Sequence, residues 1–297
     1  MDNKSDVIGY VIDGFLCLVT LLLIGAAGMF LFQPDTAKEI VEDTILPAMK
    51  EVAQKDPEEE VFIQKTEGYY IWDESDQALY EKYKAYNEDV VGYITIPDST
   101  VDHPIMFTPE DEEYYLRRDL DKKKNSYGVP FLSATSDING LHATNMVVYG
   151  HNINVHEQDI FHSLTEYESL DFYKNHPVIK TISENGTRRW LIFAYYLIDT
   201  SDPKPFKYSE YTEFLTKQEY NDYMRNVKQR NWLEVAVPLE YNDTYITLSS
   251  CSRELSGSGT NRMVVMAKLL KADEEYREYV DSATMAENPL LPRKLSK

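Results

Sequence analysis

The apolar positions of this chain fall into three patterns. The first is a continuous block. Phe15 to Phe32 (FLCLVTLLLIGAAGMFLF) runs eighteen residues without a charge, with Thr20 its only polar side chain. That is long enough to span a bilayer and longer than the roughly 7 to 15 apolar residues of a cleavable leader. The block is expected to be an uncleaved N-terminal anchor, a signal peptide or buried core helix being the other readings. Lys4 is offset by Asp2, Asp6 and Asp13, so the flanking charges orient it only weakly.

Helical spacing is the second pattern. Thr36 with Glu39 forms a capping box for a short helical stretch that Pro47 interrupts. Leu79, Tyr83, Tyr86 and Val90 recur at helical spacing with Ser75 as cap. A second capping box, Thr216 with Glu219, precedes Tyr220, Tyr223, Met224 and Val227 at i, i+3, i+4 and i+7. The third pattern is a series of short extended runs separated by turn residues: 91–96, 129–132, 145–149, 178–182, 190–198, 245–249 and 263–270. Two of them, VVGYITIP and RWLIFAYYLID, are rich in β-branched and aromatic residues. The series predicts a mainly β domain, a barrel or sandwich with helical insertions.

Charge narrows the function. Thirty Lys and Arg against fifty Asp and Glu leave a net charge of −20. Nucleic-acid binding draws its nonspecific affinity from cations on phosphates, so DNA and RNA are excluded as partners. Anionic lipid gains no electrostatic attraction either, which leaves attachment to the apolar block. Residues 34–72, with Asp56-Pro57-Glu58-Glu59-Glu60, read as an acidic stalk.

The two cysteines, Cys17 and Cys251, cannot pair if one lies in lipid. A lone exported thiol in an oxidising compartment points to chemistry, although a free cysteine is also a small buried hydrophobe. Cys251 ends one extended run and Arg262 begins the next, with Gly257 and Gly259 between them. Paired as an antiparallel hairpin, the two residues face one another at its open mouth. A guanidinium there stabilises a developing oxyanion; the bland reading is an ion pair with an acidic surface.

A thiol nucleophile also needs a proton-transfer partner, and six histidines are available: His103, His142, His151, His156, His162 and His176. His103 and His176 precede prolines in extended segments. His151 follows the apolar run Asn145-Met-Val-Val-Tyr-Gly150, displayed where a strand opens into a loop, and is the favoured candidate. No histidine pair has metal-ligand spacing such as His-Glu-x-x-His, so neither metal nor other cofactor is expected.

The strings Val-Val-Tyr-Gly-His151-Asn, Thr247-Leu-Ser-Ser-Cys251 and Arg262-Met-Val-Val-Met-Ala-Lys resemble the signature segments of the sortases, cysteine transpeptidases of Gram-positive cell surfaces. Thr-Leu-Ser-Ser-Cys is similar to class B in particular. The likeness also includes Val91-Gly-Tyr-Ile-Thr-Ile-Pro97 and Glu113-Tyr-Tyr-Leu116, and covers about residues 73 to 270. It implies a closed eight-stranded barrel with N-terminal helices and a helical insertion before the cysteine strand. It also implies a catalytic set of His151, Cys251 and Arg262, with Ser249 assisting substrate or oxyanion binding. The implied reaction cleaves a sorting signal after threonine through a thioester, then transfers the protein to a peptidoglycan-precursor amine or a pilin lysine. Ser250 stands where many relatives have threonine, which keeps the hydroxyl.

The expected organisation is an N-terminus and anchor (1–33), an acidic stalk (34–72), a catalytic barrel (73–270) and a polar tail (271–297). With the anchor, it implies a single-pass membrane protein whose catalytic domain is extracellular. Two rival functions stay open: an exported hydrolytic cysteine protease, although papain-type and caspase-type motifs are absent, and a catalytically inactive sortase-like adhesin.

Overall fold

The computed structural model of this chain describes residues 68–152, 160–251 and 260–292. The described chain opens on helix α1 (Glu74–Tyr86), which leads into β1 (Val90–Thr95) and β2 (Asp102–Met106). Then come β3 (Phe131–Leu132), β4 (Asn145–Gly150), the short helix α2 (Leu170–Asn175), β5 (Val178–Ser183) and the long β6 (Gly186–Asp199). Helix α3 (Lys217–Arg230) and β7 (Leu233–Glu234) precede β8 (Tyr245–Cys251) and β9 (Asn261–Leu269). Helix α4 (Arg277–Asp281) and β10 (Thr284–Met285) complete the described elements.

Eight strands close into a barrel in the order β1-β2-β3-β4-β8-β9-β6-β5, and β7 pairs with β10 in a separate two-stranded ribbon. This is the mainly β, eight-stranded barrel that the sequence implies. Closure removes exposed sheet edges, and elements packed outside the barrel bury the outer faces as well. Of the fourteen residues of β6 only Arg189 is partly exposed, which is why that run is nearly continuous in apolar residues rather than alternating.

Seven extended runs are visible in the sequence; the barrel strand missing among them is β2, and the two short strands of the ribbon, β7 and β10, are missing as well. The proline of β2 at position 104 and flanking Asp102 and His103 disguise that strand. Pro104 is tolerated because β2 pairs along its length only with β1, touching β3 at the single pair Met106 with Phe131. The first helix also differs from its predicted face. Asp73, not Ser75, caps α1, its carboxylate accepting from the backbone N–H groups of Ser75 (2.9 Å) and Asp76 (3.0 Å). Gln77 and Tyr80 are the buried positions, while Tyr86 is exposed. Gln77 is drawn inward because its amide donates to the carbonyl of Ser183 at 3.2 Å.

Helix α3 follows its sequence pattern closely. The hydroxyl of Thr216 accepts from the N–H of Glu219 at 3.1 Å, and the Glu219 carboxylate reaches back to the N–H of Leu215 at 2.9 Å. Tyr220, Tyr223 and Val227 are buried. Beyond the barrel, residues 271–292 dock against it. Arg189 donates to the carbonyls of Lys271 (3.2 Å), Ala272 (2.7 Å) and Glu274 (3.3 Å), and Val280 and Ala283 are buried.

The expectation of a single-pass membrane protein with an extracellular catalytic domain requires correction. No helix among the described residues is long and apolar enough to cross a membrane. The longest, α3, has fourteen residues, or about 21 Å at 1.5 Å per residue against a hydrocarbon core of about 30 Å, and it carries charges throughout. The apolar block 15–32, the acidic stretch 34–67, Cys17 and His156 lie outside the described residues.

Candidate active site

Three chain segments converge at one mouth of the barrel. Strands β4 and β8 run parallel in unbroken register from Asn145 opposite Tyr245 to Gly150 opposite Ser250. Position 151 therefore leaves β4 beside the end of β8. On the other flank β9 runs antiparallel to β8, with Cys251 opposite Arg262. Neighbouring strands lie about 4.8 Å apart, so backbone positions 151, 251 and 262 sit within about two strand spacings.

Glycine makes this convergence possible at position 150. A Cβ on Gly150 would come within 2.5 Å of the ring of Phe161, whose own N–H is bonded to the carbonyl of His151 at 3.0 Å. Only a hydrogen fits at this close approach, directly before His151.

His151 is 8% exposed, and its Nε2 lies 2.7 Å from the carbonyl oxygen of Leu116. A carbonyl only accepts, so Nε2 carries a hydrogen and Nδ1 is the nitrogen whose protonation changes when the ring is charged. Arg262 is partly exposed and donates through Nη1 to the carbonyl of Asn261 at 3.1 Å. Ser249, 2% exposed, shares a 2.7 Å hydrogen bond with the hydroxyl of Tyr208. Position 251, two residues on, ends β8.

These segments open into a cleft of about 570 Å³, whose lining includes His151, Arg262, Ser249, Tyr149, Tyr208 and Glu112. Tyr149 illustrates its electrostatics. Burial raises the pKa of its hydroxyl, Glu112 adds to the rise, and hydrogen bonding to Ser209 with the nearby positive charge of Arg262 opposes it. Glu112 is itself fixed, accepting from the Ser133 hydroxyl at 3.1 Å and the Ala134 N–H at 2.6 Å. A site lined this way offers a fixed cation for an oxyanion, an imidazole for proton transfer and a hydroxyl beside the strand end that bears the thiol.

The remaining described histidines lie elsewhere. His103 Nε2 is 3.0 Å from the Thr100 carbonyl, and burial lowers its pKa. His176 stacks on Phe172, with ring centroids 4.1 Å apart. His162 Nδ1 stands 3.4 Å from Asn152 Oδ1, and His142 occupies a left-handed turn at φ 60°. Sequence reasoning brought His151, Ser249, Cys251 and Arg262 forward and missed Glu112, Tyr149 and Tyr208 as cleft residues. Tyr149 stood in plain view two residues before His151. Tyr208 sits in the long connection after β6, which has no periodic signal. Among the described residues no cluster of three or more His, Cys, Asp or Glu side chains is arranged to hold a metal ion.

No family model matches the chain. The sortase B of Listeria monocytogenes is 33% identical over 184 residues, which cover 62% of this chain and 71% of that protein. A Staphylococcus aureus sortase B–substrate complex has a TM-score of 0.57 at 22% identity, covering 77% of this chain and 100% of the other. A crystal structure of sortase B complexed with triglycine gives a TM-score of 0.58 at 23% identity, covering 76% and 100% of the respective chains. The class is thus a cysteine transpeptidase on a sortase-type barrel. Within that class, the chain belongs to the sortase B family.

Proposed function

We propose that this cleft cleaves a C-terminal sorting signal after threonine and joins the released protein to an amine. Cys251, as thiolate, attacks the threonine carbonyl carbon, and Arg262 stabilises the negative charge that collects on its oxygen. The C–N bond to the next residue breaks. His151, as imidazolium, gives its proton to the departing amine, leaving a thioester on Cys251. A second amine attacks the thioester, its proton passes to His151, and the new amide leaves the thiolate restored. Ser249 orients the acyl donor. The catalytic unit spans residues 73–270 on this reading.

The observation that carries the proposal is the meeting of two strand registers at one cleft, Gly150 with Ser250 and Cys251 with Arg262. The S. aureus sortase B bound to substrate and the sortase B bound to triglycine support a peptide acyl donor and an amine acceptor. The acceptor is a peptidoglycan-precursor amine or a pilin lysine. The test is incubation with a library of pentapeptide sorting signals, followed by intact-mass measurement and product analysis with and without amine. An acyl adduct on Cys251 with amine-dependent product is the expected result. Hydrolysis at the same rate with or without amine identifies a protease instead. No adduct and no turnover identify an inactive adhesin.

A further inference from the structure

The strand that bears the nucleophile is tied at two points to one hydrogen-bonded circuit. Thr247 Oγ1 donates to Asn145 Oδ1 at 2.7 Å. Asn145 Nδ2 donates to the hydroxyl of Tyr223 at 3.4 Å and to the carbonyl of Tyr211 at 2.9 Å. The Tyr223 hydroxyl donates to the carbonyl of Tyr208 at 3.2 Å, and the Tyr208 hydroxyl meets Ser249 Oγ at 2.7 Å. The path thus leaves β8 at Thr247 and returns to it at Ser249. Asn145, Thr247, Ser249 and Tyr223 are each no more than 2% exposed, so water does not substitute for a missing partner.

Tyr223 lies on α3 and does not line the cleft, yet it governs a wall of it. The stretch leading to Tyr208 contains Pro203 and Pro205, which have no N–H to offer a backbone ladder. Aromatic packing secures this stretch instead, since the Tyr223 ring lies 5.1 Å from Phe206, 5.3 Å from Tyr211 and 5.1 Å from Phe214. Phe206 and Tyr208 themselves line the cleft. Removing the Tyr223 hydroxyl takes away its hydrogen bond to the Tyr208 carbonyl, and with it one restraint on the hydroxyl that meets Ser249.

We propose that Tyr223 is a positioning residue for the acyl donor: by holding Tyr208, it fixes the Ser249 hydroxyl two residues before the nucleophile. The inference rests on the substrate-orienting role proposed above for Ser249.

A double-mutant cycle with Tyr223→Phe and Ser249→Ala tests it, using a sorting-signal peptide that acylates the wild-type enzyme. Tyr223→Phe is expected to raise KM about five-fold, the size of one neutral hydrogen bond, with kcat within about two-fold. On the Ser249→Ala background the same change is expected to do nothing further to KM, because its route is gone. An equal rise in KM on both backgrounds, or no rise in the wild-type background, overturns the proposal. Unchanged KM in Ser249→Ala alone defeats the role of Ser249 and the inference with it. Absence of turnover by the wild type defeats the functional reading itself. Should Tyr223→Phe lack a cooperative thermal transition, Tyr208→Phe breaks the circuit at its last link, and the same coupling with Ser249→Ala is expected.

Discussion

The two ends of β8 share one backbone ladder and do opposite things. At its start, the fully buried Tyr245 donates to the carbonyl of Glu240 at 2.9 Å and meets the hydroxyl of Tyr220 at 3.0 Å. Its ring lies 5.8 Å from Phe193, 6.2 Å from Tyr220 and 6.3 Å from Phe214. Four residues later the strand reaches Ser249 and Ser250, which line an open cleft together with a guanidinium and an imidazole. The aromatic end holds the register, since each such ring buries a large apolar area and has its hydroxyl satisfied. The polar end gains its fixed geometry from the same ladder. Mutations at the two ends should therefore separate folding from turnover.

The largest expected effect is at the polar end. Cys251→Ala should cut turnover by about 10⁴-fold or more while leaving the thermal midpoint within about 3 °C. A large fall in the midpoint would show that the two ends are not separable. Next, Tyr245→Ala should destabilise the fold by about 3 to 5 kcal/mol, measured by urea unfolding, through loss of a buried aromatic ring. Residual folded protein is expected to keep its kcat. Arg262→Gln should then lower kcat about 10² to 10³-fold, the cost of removing one oxyanion donor, with little change in the urea midpoint.

The smallest expected effect is the share of the alkaline pH dependence of stability that comes from the aromatic end. Burial pushes the pKa of Tyr220 up to about 12 and raises that of Tyr245 further, in each case by disfavouring the phenolate. In the unfolded chain both ionise near about 10. Above that pH the unfolded state binds fewer protons than the folded state, so stability is full below about pH 10 and is lost as pH rises toward 12. Urea midpoints at pH 9, 10 and 11 should fall progressively, and Tyr220→Phe should make the decline shallower by its own share. A midpoint independent of pH in this range would remove the assigned desolvation.

Much of the fold was legible because its signals are local. The capping box at Thr216 and the spacing of Tyr220, Tyr223 and Val227 specify α3 without reference to the rest of the molecule. Most strands announced themselves as β-branched and aromatic runs. Strand β2 did not, since its identity comes from pairing with β1 rather than from its own residues. The site divides the same way. His151, Cys251 and Arg262 occupy strand termini, where a polar residue after an apolar run stands out. The Leu116 carbonyl that fixes the His151 ring, the Glu112 carboxylate and the Tyr208 hydroxyl reach the cleft from distant connections. Their contribution depends on tertiary closure, which no periodicity encodes.

The parallel pairing of β4 with β8 joins residues a hundred positions apart, Asn145 with Tyr245 and Gly150 with Ser250. Contacts of such long sequence separation form slowly, because the intervening chain must be gathered first. During synthesis, a ribosome-bound chain that has emerged only as far as β6 holds the histidine but no thiol strand to set beside it. On the proposed mechanism, the transpeptidation site is therefore complete only once the last third of the polypeptide has been made.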